Sequence, residues 1–254
     1  MTAWMNGVLC HRTGIDHALD AITGDNDLAP VVAADDVFGL PAGAGISLLA
    51  GALRQADVTS LRLALPVPGD VSMLPATPGL AEAMSSGQAV VAETAGVAAA
   101  VLVPCSLRPA GQSLDDYVSR SEWRIFECAP VRYSPVASST LGEAERAMKE
   151  AVLEALGSLA EPSSSQAFPL AAWQEGNVDR ARGVLSAGDD VDLPGASPRA
   201  VRVASMALRM LALTEAAPPH ELGFSSHHEE HAQLDFLNRA ARQALVLAVN
   251  DTRP

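Results

Sequence analysis

The N-terminal half of the chain alternates apolar and polar positions in a way that predicts strands interleaved with short helices. The clearest strand covers residues 58–65, where Leu61, Leu63 and Leu65 alternate with smaller or polar side chains, so that one face meets a core. Before it, apolar residues at helical spacing predict a helix over residues 45–56 that covers the sheet. After β-turn residues, residues 78–85 predict a short helix, and two apolar runs over residues 88–93 and 97–103, joined by a short turn, predict a hairpin of strands. Residues 123–128 predict a further strand, and residues 31–34 predict a less regular one.

From Thr140 onward, the apolar residues recur with the period of a helix. Thr140 and Glu143 form a capping-box pattern, and the helical stripe that follows continues to about residue 160. Ser197 followed by Pro198 predicts the start of a helix that is apolar on most sides and ends near residue 215. The last helix begins at Ser226 with another capping box, and a weaker pattern predicts one more helix over residues 170–187.

Together these elements predict an α+β protein. Residues 1–135 form a small mixed sheet with covering helices, and residues 136–254 form a helical, bundle-like half. The connection between the halves is short and half-polar, which leaves two arrangements open: two separate domains, or two halves packed as one unit.

The charge balance argues against nucleic acid as a partner. The chain carries 17 Lys+Arg against 30 Asp+Glu, a formal net charge of -13 at pH 7, and it has no basic stripe that would attract a phosphate backbone. Its one lysine, Lys149, does not follow a glycine-rich loop, which excludes a P-loop for nucleotide hydrolysis. Glu145 lies four residues before Lys149, and this spacing predicts an ion pair on a solvated helix face.

The sequence also bears on compartment and membrane contact. Its longest apolar run, residues 96–103, is far shorter than the ~20 residues of a membrane-spanning helix, and the first residues lack the basic and apolar regions of a secretory signal. Cys10, Cys105 and Cys128 are odd in number and far apart, which is typical of free thiols in a reducing compartment. We therefore expect a cytoplasmic protein with no membrane partner.

The densest group of potential metal ligands lies near the C-terminus. His227 and His231 are four residues apart, so they share a helix face with Glu230 nearby, and neutral imidazoles at this spacing can hold a zinc ion. The H-E-x-x-H order of zinc proteases is absent. The alternative is a polar first helical turn, in which the acids favour the positive end of the helix dipole and the histidines face water.

Two other segments carry groups that could take part in chemistry. Cys10 and His11 are followed by Asp16 and His17, a combination from which a nucleophile and its base could be built. Adjacent side chains of an extended chain point apart, so Cys10 would pair more easily with His17; a packed cysteine beside surface histidines is the alternative. The glycine-rich residues 39–45 could present amides to an anion but lack the dinucleotide-binding spacing, and a loop that needs positive φ is their alternative.

Charged residues also cluster before and inside the helix that begins at Pro198. The acidic residues 189–192 lack the ligand ladder of a calcium loop and predict a solvated turn. Arg199, Arg202 and Arg209 lie close to one face of the helix. We expect these arginines to pair with the acids of the turn rather than to bind phosphate.

Three stretches of the chain resemble a family of uncharacterised actinobacterial proteins to which no function is assigned. They are residues 61–70 (LRLALPVPGD), residues 87–91 (GQAVV) and residues 239–246 (RAARQALV). The resemblance implies no activity, cofactor or site residue for this chain. The histidine cluster at residues 227–231 is not part of the family pattern.

Apolar helices are plentiful in this sequence, whereas clustered reactive groups are scarce. We therefore expect a non-catalytic protein that binds a small molecule between sheet and helices, or another protein, including a second copy of itself. One alternative is a metal-dependent enzyme that uses His227, Glu230 and His231, and a divalent metal ion is the one cofactor that the sequence leaves open. Another is a structural subunit of a larger assembly.

Overall fold

The computed structural model describes residues 1–23, 31–41, 43–71, 73–107, 120–130, 140–160, 191–216 and 228–251. The chain divides into two compact units, Met1–Ser138 and Ser139–Asp251. The described part of the first unit contains a sheet with helices, and that of the second unit is helical. The α+β class expected from the sequence is therefore confirmed.

In the first unit, a five-stranded sheet is accompanied by short helices. Its elements in chain order are α1 (Thr2–Leu9), α2 (Ile15–Thr23), β1 (Val31–Ala33), a 3-10 helix (Ala34–Gly39), α3 (Ile46–Gln55), β2 (Ser60–Ala64), α4 (Leu80–Ser86), β3 (Ala89–Thr94), β4 (Val97–Leu107) and β5 (Arg120–Glu127). Every strand lies where the apolar pattern predicts one. Helices α1 and α2 were not predicted: α1 has no regular apolar stripe, whereas the stripe of α2, formed by Ile15, Ala18, Leu19 and Ile22, was overlooked.

The sheet is mixed, with the strand order β1-β5-β4-β3-β2. Strands β2 to β5 follow one another as antiparallel neighbours, whereas β1 pairs in parallel with β5. The register between β3 and β4 shifts after Ala92, which pairs with Ala100, because the next residue, Glu93, pairs with Ala98. A bulge of this kind increases the local twist of the two strands.

Both faces of the sheet are covered. One face carries Leu61, Leu102 and Ile125 and packs against apolar residues of α1, α2 and α3. The other face carries Val91 and Phe126 and packs against α4. The alternation in β2 predicted one buried face, but the opposite face is buried as well.

A single side chain fastens α1 to the edge of this sheet. The amide nitrogen Nδ2 of Asn6 donates to the Leu61 carbonyl oxygen at 2.8 Å, and the Leu61 N–H donates to Oδ1 of Asn6 at 2.7 Å. Strand β2 is an edge strand, so this outward-facing N–H and carbonyl have no neighbouring strand to bind. The Asn6 amide takes the place of that strand. Arg54 of α3 also holds the C-terminal half of α1, by donating to the Val8 carbonyl oxygen at 2.6 Å.

The described part of the second unit consists of α5 (Leu141–Ala160), α6 (Pro198–Ala216) and α7 (His228–Asn250). Helix α7 packs along both other helices, whereas α5 and α6 touch each other only locally. Two hydrogen bonds show that α6 and α7 are antiparallel. Ser197, just before α6, donates to Asp251 after α7 at 3.2 Å, and Asn238 of α7 donates to Thr214 near the end of α6 at 2.8 Å.

The helix starts in this unit follow the predicted capping chemistry. The Glu143 N–H donates to the Thr140 hydroxyl at 3.2 Å, while the Thr140 N–H donates to the Glu143 carboxylate at 2.7 Å. At α6, the Ala200 N–H donates to the Ser197 hydroxyl at 3.1 Å. The predicted helix over residues 170–187 and the cap at Ser226 lie outside the described residues.

No helix within the described ranges is long and apolar enough to cross a membrane.

Replacing Asn6 should destabilise the first unit strongly. In Asn6→Leu, the Leu61 N–H and carbonyl lose both partners in a buried place, and each unsatisfied group costs about 1–3 kcal/mol. We expect the free energy of unfolding in urea to fall by about 2–4 kcal/mol. Asn6→Asp retains the acceptor for the Leu61 N–H and should lose less. A loss below about 0.5 kcal/mol in Asn6→Leu, the range of ordinary surface substitutions, would contradict this role.

Gly79, just before α4, should not tolerate a side chain. A Cβ at this position would lie 2.3 Å from the Phe126 ring, which is packed into the sheet. Gly79→Ala should therefore lower the free energy of unfolding by about 1–3 kcal/mol, as other overpacked sites do. Gly51→Ala is the matched control, because a Cβ there meets nothing within 4 Å and α3 gains a better helix former. Equal stability changes in the two variants would show that the contact with Phe126 is unimportant.

Candidate functional site

The second unit contains an open groove of about 450 Å³ between α5 and α6. A volume of this size is within the range of small-molecule sites. The groove exists because α5 and α6 both pack on α7 while meeting each other only locally. The residues that line it come from two helices: Glu145, Lys149, Val201, Arg202, Val203, Ser205, Met206 and Arg209.

Glu145 and Lys149 form the α5 side of the groove. They make the ion pair that their four-residue spacing predicts, with Lys149 Nζ donating to Glu145 Oε1 at 2.7 Å. The Lys149 side chain is 56% exposed, whereas the Glu145 side chain is 16% exposed. Glu145 is therefore a largely covered anion at the groove wall, and Lys149 is its more exposed partner.

A second cation from α6 shares the same carboxylate. Arg199 donates through Nε to Oε2 of Glu145 at 2.8 Å, so the two cations occupy different oxygens of the acid. The hydrogen bonds from Lys149 and Arg199 lower the pKa of Glu145 below its usual range. The described partner of Arg199 is therefore Glu145, which leaves untested the expected pairing of Arg199 with the acidic turn at residues 189–192. Its described member, Asp192, is exposed, and Asp189 and Asp190 lie outside the described residues.

The α6 side combines cations with apolar surface. Arg202 is exposed at the rim and Arg209 lies about two turns further along the same helix, half-buried. Between them, Met206 and the buried Val203 contribute apolar wall. A pocket with apolar walls and a few convergent charges is typical of sites for small organic ligands.

The local charge of the groove is opposite to that of the whole protein. Among the described residues, its lining contains three cations, Lys149, Arg202 and Arg209, and one carboxylate, Glu145, which gives these residues a net charge of +2, against -13 for the chain. A concave surface of one sign concentrates ligands of the other sign. The groove therefore favours an anion.

The first unit also contains a buried charged network, on the sheet face that packs against α4. Arg62 of β2 forms an ion pair with Glu93 of β3, both residues being 4% exposed, and the Ser60 hydroxyl donates to the other Glu93 oxygen at 2.9 Å. Ser60 pairs with Glu93 across the strands, so Arg62 is its diagonal neighbour. The carboxylate has partners on both oxygens, which is what a buried charge requires.

Further along the same face, a second ion pair lies beside a thiol. Arg124 donates to Glu122 at 2.5 Å, and Glu122 pairs across the sheet with Cys105. Burial raises the pKa of the Cys105 thiol, against an opposing effect of Arg124. Burial also raises the pKa of Cys128, to about 11. Both side chains are therefore thiols rather than thiolate nucleophiles near neutral pH.

The histidine cluster proposed as a metal site stays a prediction. His227 lies outside the described residues, and Glu230 and His231 belong to the first turns of α7, where the backbone is helical and the side chains are not described. Within the described residues, no three or more His, Cys, Asp or Glu side chains come together in a way that could hold a metal ion.

The segment around Cys10 differs from the extended chain assumed for it. Cys10 ends α1, and its N–H donates to the Asn6 carbonyl oxygen. Its backbone therefore continues the hydrogen bonding of a helix rather than that of an extended chain. His17 lies on α2, with its ring edge-on to Trp4 at a centroid distance of 5.1 Å. The structure thus gives His17 an aromatic contact and leaves Cys10 as a half-buried helix-end residue.

The glycine-rich segment before α3 contains glycines with positive φ, as expected for a loop. Gly39 and Gly43 have φ of 60° and 74°, which glycine adopts without strain. Gly45 then caps α3, and its carbonyl oxygen accepts from Leu48 and Leu49 within the helix. The segment therefore supplies a turn and a helix start.

Fold and groove together define an α+β protein with a cationic groove in its helical unit. Two family models match the chain: Rv1486c-like protein, N-terminal domain, over residues 1–138, and Rv1486c-like protein, C-terminal domain, over residues 142–246. The chain belongs to this family, which is actinobacterial and has no assigned function, so the resemblance seen in the sequence is confirmed. Neither the curated proteins nor the solved structures include a significant match.

The buried pair Arg62–Glu93 should contribute to stability only as a pair. Arg62→Met leaves a buried carboxylate without its cation and should lower the free energy of unfolding by about 3–5 kcal/mol. The double variant Arg62→Met/Glu93→Leu should recover most of this loss. Arg124→Gln is the control, because the Arg124 side chain is 40% exposed and should cost about 1 kcal/mol or less. A double variant no more stable than Arg62→Met would refute the pairwise explanation.

Proposed function

We propose that the protein is a non-catalytic binding protein whose α5–α6 groove takes a small anionic molecule with an apolar body. The observation that carries this proposal is the groove itself, in which Lys149, Arg202 and Arg209 surround apolar wall in an otherwise acidic protein. Long-range repulsion from a chain of net charge -13 weakens anion binding elsewhere on the surface.

Two features favour a small molecule over a large partner. The groove is concave, and its volume of about 450 Å³ fits a compact organic molecule. Its charges converge from two helices on one space, as in sites that hold a single charged group. Apolar contact with Val201 and Met206 would then supply affinity, while the cations would fix orientation.

The absence of catalysis is part of the proposal. Within the part of the chain that the structure describes, the groups that line the groove are cations, one ion-paired acid, a serine and apolar side chains. Glu145 is held ionised by two cations and is a poor general base, because the same hydrogen bonds that lower its pKa stabilise the unprotonated form. Ser205 would need a neighbouring base to become a nucleophile.

We place this function in the cytoplasm. Cys10, Cys105 and Cys128 carry free thiols that are each half-buried. Such thiols are characteristic of proteins in a reducing compartment.

The test is calorimetric titration with two probes that share one apolar body, 1-naphthyl phosphate and neutral 1-naphthol. We expect the phosphate to bind at least about tenfold more tightly than the alcohol, a ratio that one charge-assisted contact can supply. Any hydrolysis would release 1-naphthol, whose fluorescence reports it, so the same samples test for catalysis. Equal affinities, or no binding of the phosphate, would contradict the proposed site, and steady release of 1-naphthol would contradict a non-catalytic role.

Variants localise the binding to the groove. Lys149→Gln/Arg202→Gln removes two cations of the lining and should weaken binding of 1-naphthyl phosphate at least about tenfold. Arg146→Gln is the matched control, because Arg146 is exposed on α5 and does not line the groove. It should change the affinity by less than about twofold. A similar loss in both variants would point to a general charge effect rather than to this groove.

A further inference from the structure

We propose that Glu145 makes the α5–α6 groove selective for a phosphate monoester over a carboxylate of the same body. The inference rests on the proposed function and names both the class of its ligand and the residue that selects it. Glu145 is a carboxylate that already binds one cation of the groove lining, Lys149, through one oxygen, while its other oxygen binds Arg199 outside the lining. A ligand carboxylate must compete for Lys149 with this resident group.

The competition favours the resident group. Glu145 is tethered four residues before Lys149 on the same helix, so its carboxylate faces the ammonium at an effective concentration on the order of millimolar or higher. A free carboxylate offers the same charge and the same kind of hydrogen bond without that advantage. It therefore gains little from Lys149, and among the described lining residues its binding depends on Arg202, Arg209 and the apolar wall.

A phosphate monoester differs from Glu145 in charge and in shape. It carries about -1.5 to -2 charges at pH 7 and three strong acceptor oxygens, against one charge and two oxygens for a carboxylate. The described part of the lining carries three cations and one acid, a net charge of +2 that a dianion balances. The phosphate can accept from Lys149 and Arg202 while Glu145 keeps its bonds to Arg199.

Glu145 thus selects ligands by their charge, in favour of a dianion over a monoanion. Its removal would release Lys149 and Arg199 and would raise the lining charge from +2 to +3. Both probes would then bind more tightly, because more cationic groups would be available to them. The affinity of the carboxylate probe would increase more, because in the unchanged protein the Glu145 carboxylate competes with it directly for Lys149. The preference for phosphate would narrow in consequence.

The experiment compares 1-naphthyl phosphate with 1-naphthoate on the full chain by calorimetric titration. In the unchanged protein, the phosphate should bind about tenfold more tightly than the carboxylate, the worth of about one additional charge-assisted hydrogen bond. In Glu145→Gln, this ratio should fall to about threefold or less, mainly because 1-naphthoate binds more tightly. Glu150→Gln is the matched control: Glu150 is exposed on α5, does not line the groove, and its loss should leave the ratio unchanged.

A measurement on the unchanged protein keeps the proposal testable even if Glu145→Gln does not fold. The second proton of a phosphate monoester binds with a pKa of about 6, whereas a carboxylate remains ionised down to about pH 5. Between pH 7.5 and pH 5, the affinity for 1-naphthyl phosphate should fall toward that for 1-naphthoate. The described groove lining, which presents Glu145, Lys149, Arg202 and Arg209, includes no histidine to confuse this comparison.

The outcomes are distinguishable. No binding of 1-naphthyl phosphate overturns the proposed function as well as this inference. Binding of both probes with equal affinity, or a ratio that is the same in Glu145→Gln as in the unchanged protein, overturns only the role of Glu145. Sedimentation with vesicles that contain phosphatidic acid, without binding of soluble 1-naphthyl phosphate, would overturn the assignment to a soluble ligand.

Discussion

Two hydrogen bonds from one side chain make α1 part of the sheet of the first unit. The Asn6 amide satisfies both the N–H and the carbonyl of Leu61 on the edge strand β2. Its neighbours Met5 and Val8 are fully buried in the core against α3 and the sheet, so the same helix that closes the strand edge also fills one face. An edge strand left open would present these groups to another chain. The position of α1, the packing of α3 and the closed edge of the sheet therefore depend on one another.

The two units use charge in different ways. In the first unit, Arg62 and Glu93 form an ion pair between the sheet and α4, and both residues are almost completely buried. In the second unit, Lys149 and Arg199 share the carboxylate of Glu145 at the wall of an open groove, where their own exposure is about half. A buried pair mainly restricts how a fold can pack, whereas exposed cations around a concavity can exchange partners. For this reason, the proposed binding of an anion belongs to the helical unit.

What the sequence predicts here is what short-range spacing determines. Strand β2 follows from a period of two, strands β3 to β5 follow from short runs rich in apolar residues, and the Glu145–Lys149 pair follows from a spacing of four on a helix. The contact of Arg199 with Glu145 joins residues 54 apart, so no local pattern contains it. Arg62 and Glu93 each interrupt an apolar strand with one charge, and this pattern indicates a buried ion pair only when the strand register is known.

The groove depends on how the three described helices of the second unit pack, which no local pattern contains. Helix α1 was not predicted because its apolar residues form no regular stripe. The histidine cluster, by contrast, was predicted from the four-residue spacing of His227 and His231 alone. Spacing cannot predict which residues of other elements would complete a metal site there.

The parallel pairing of β1 with β5 has a consequence for synthesis on the ribosome. Val31 pairs with Trp123, so β1 leaves the ribosome 92 residues, 123 minus 31, before the strand on which it docks. At about 5–20 residues per second, this interval lasts roughly 5–20 s. During that time the nascent chain can complete the β2–β3–β4 meander and seat α1 on β2, but the three-residue β1 must wait. The earliest part of the sheet in sequence is thus the last to join it, and a chaperone that shields short apolar segments would have its longest opportunity there.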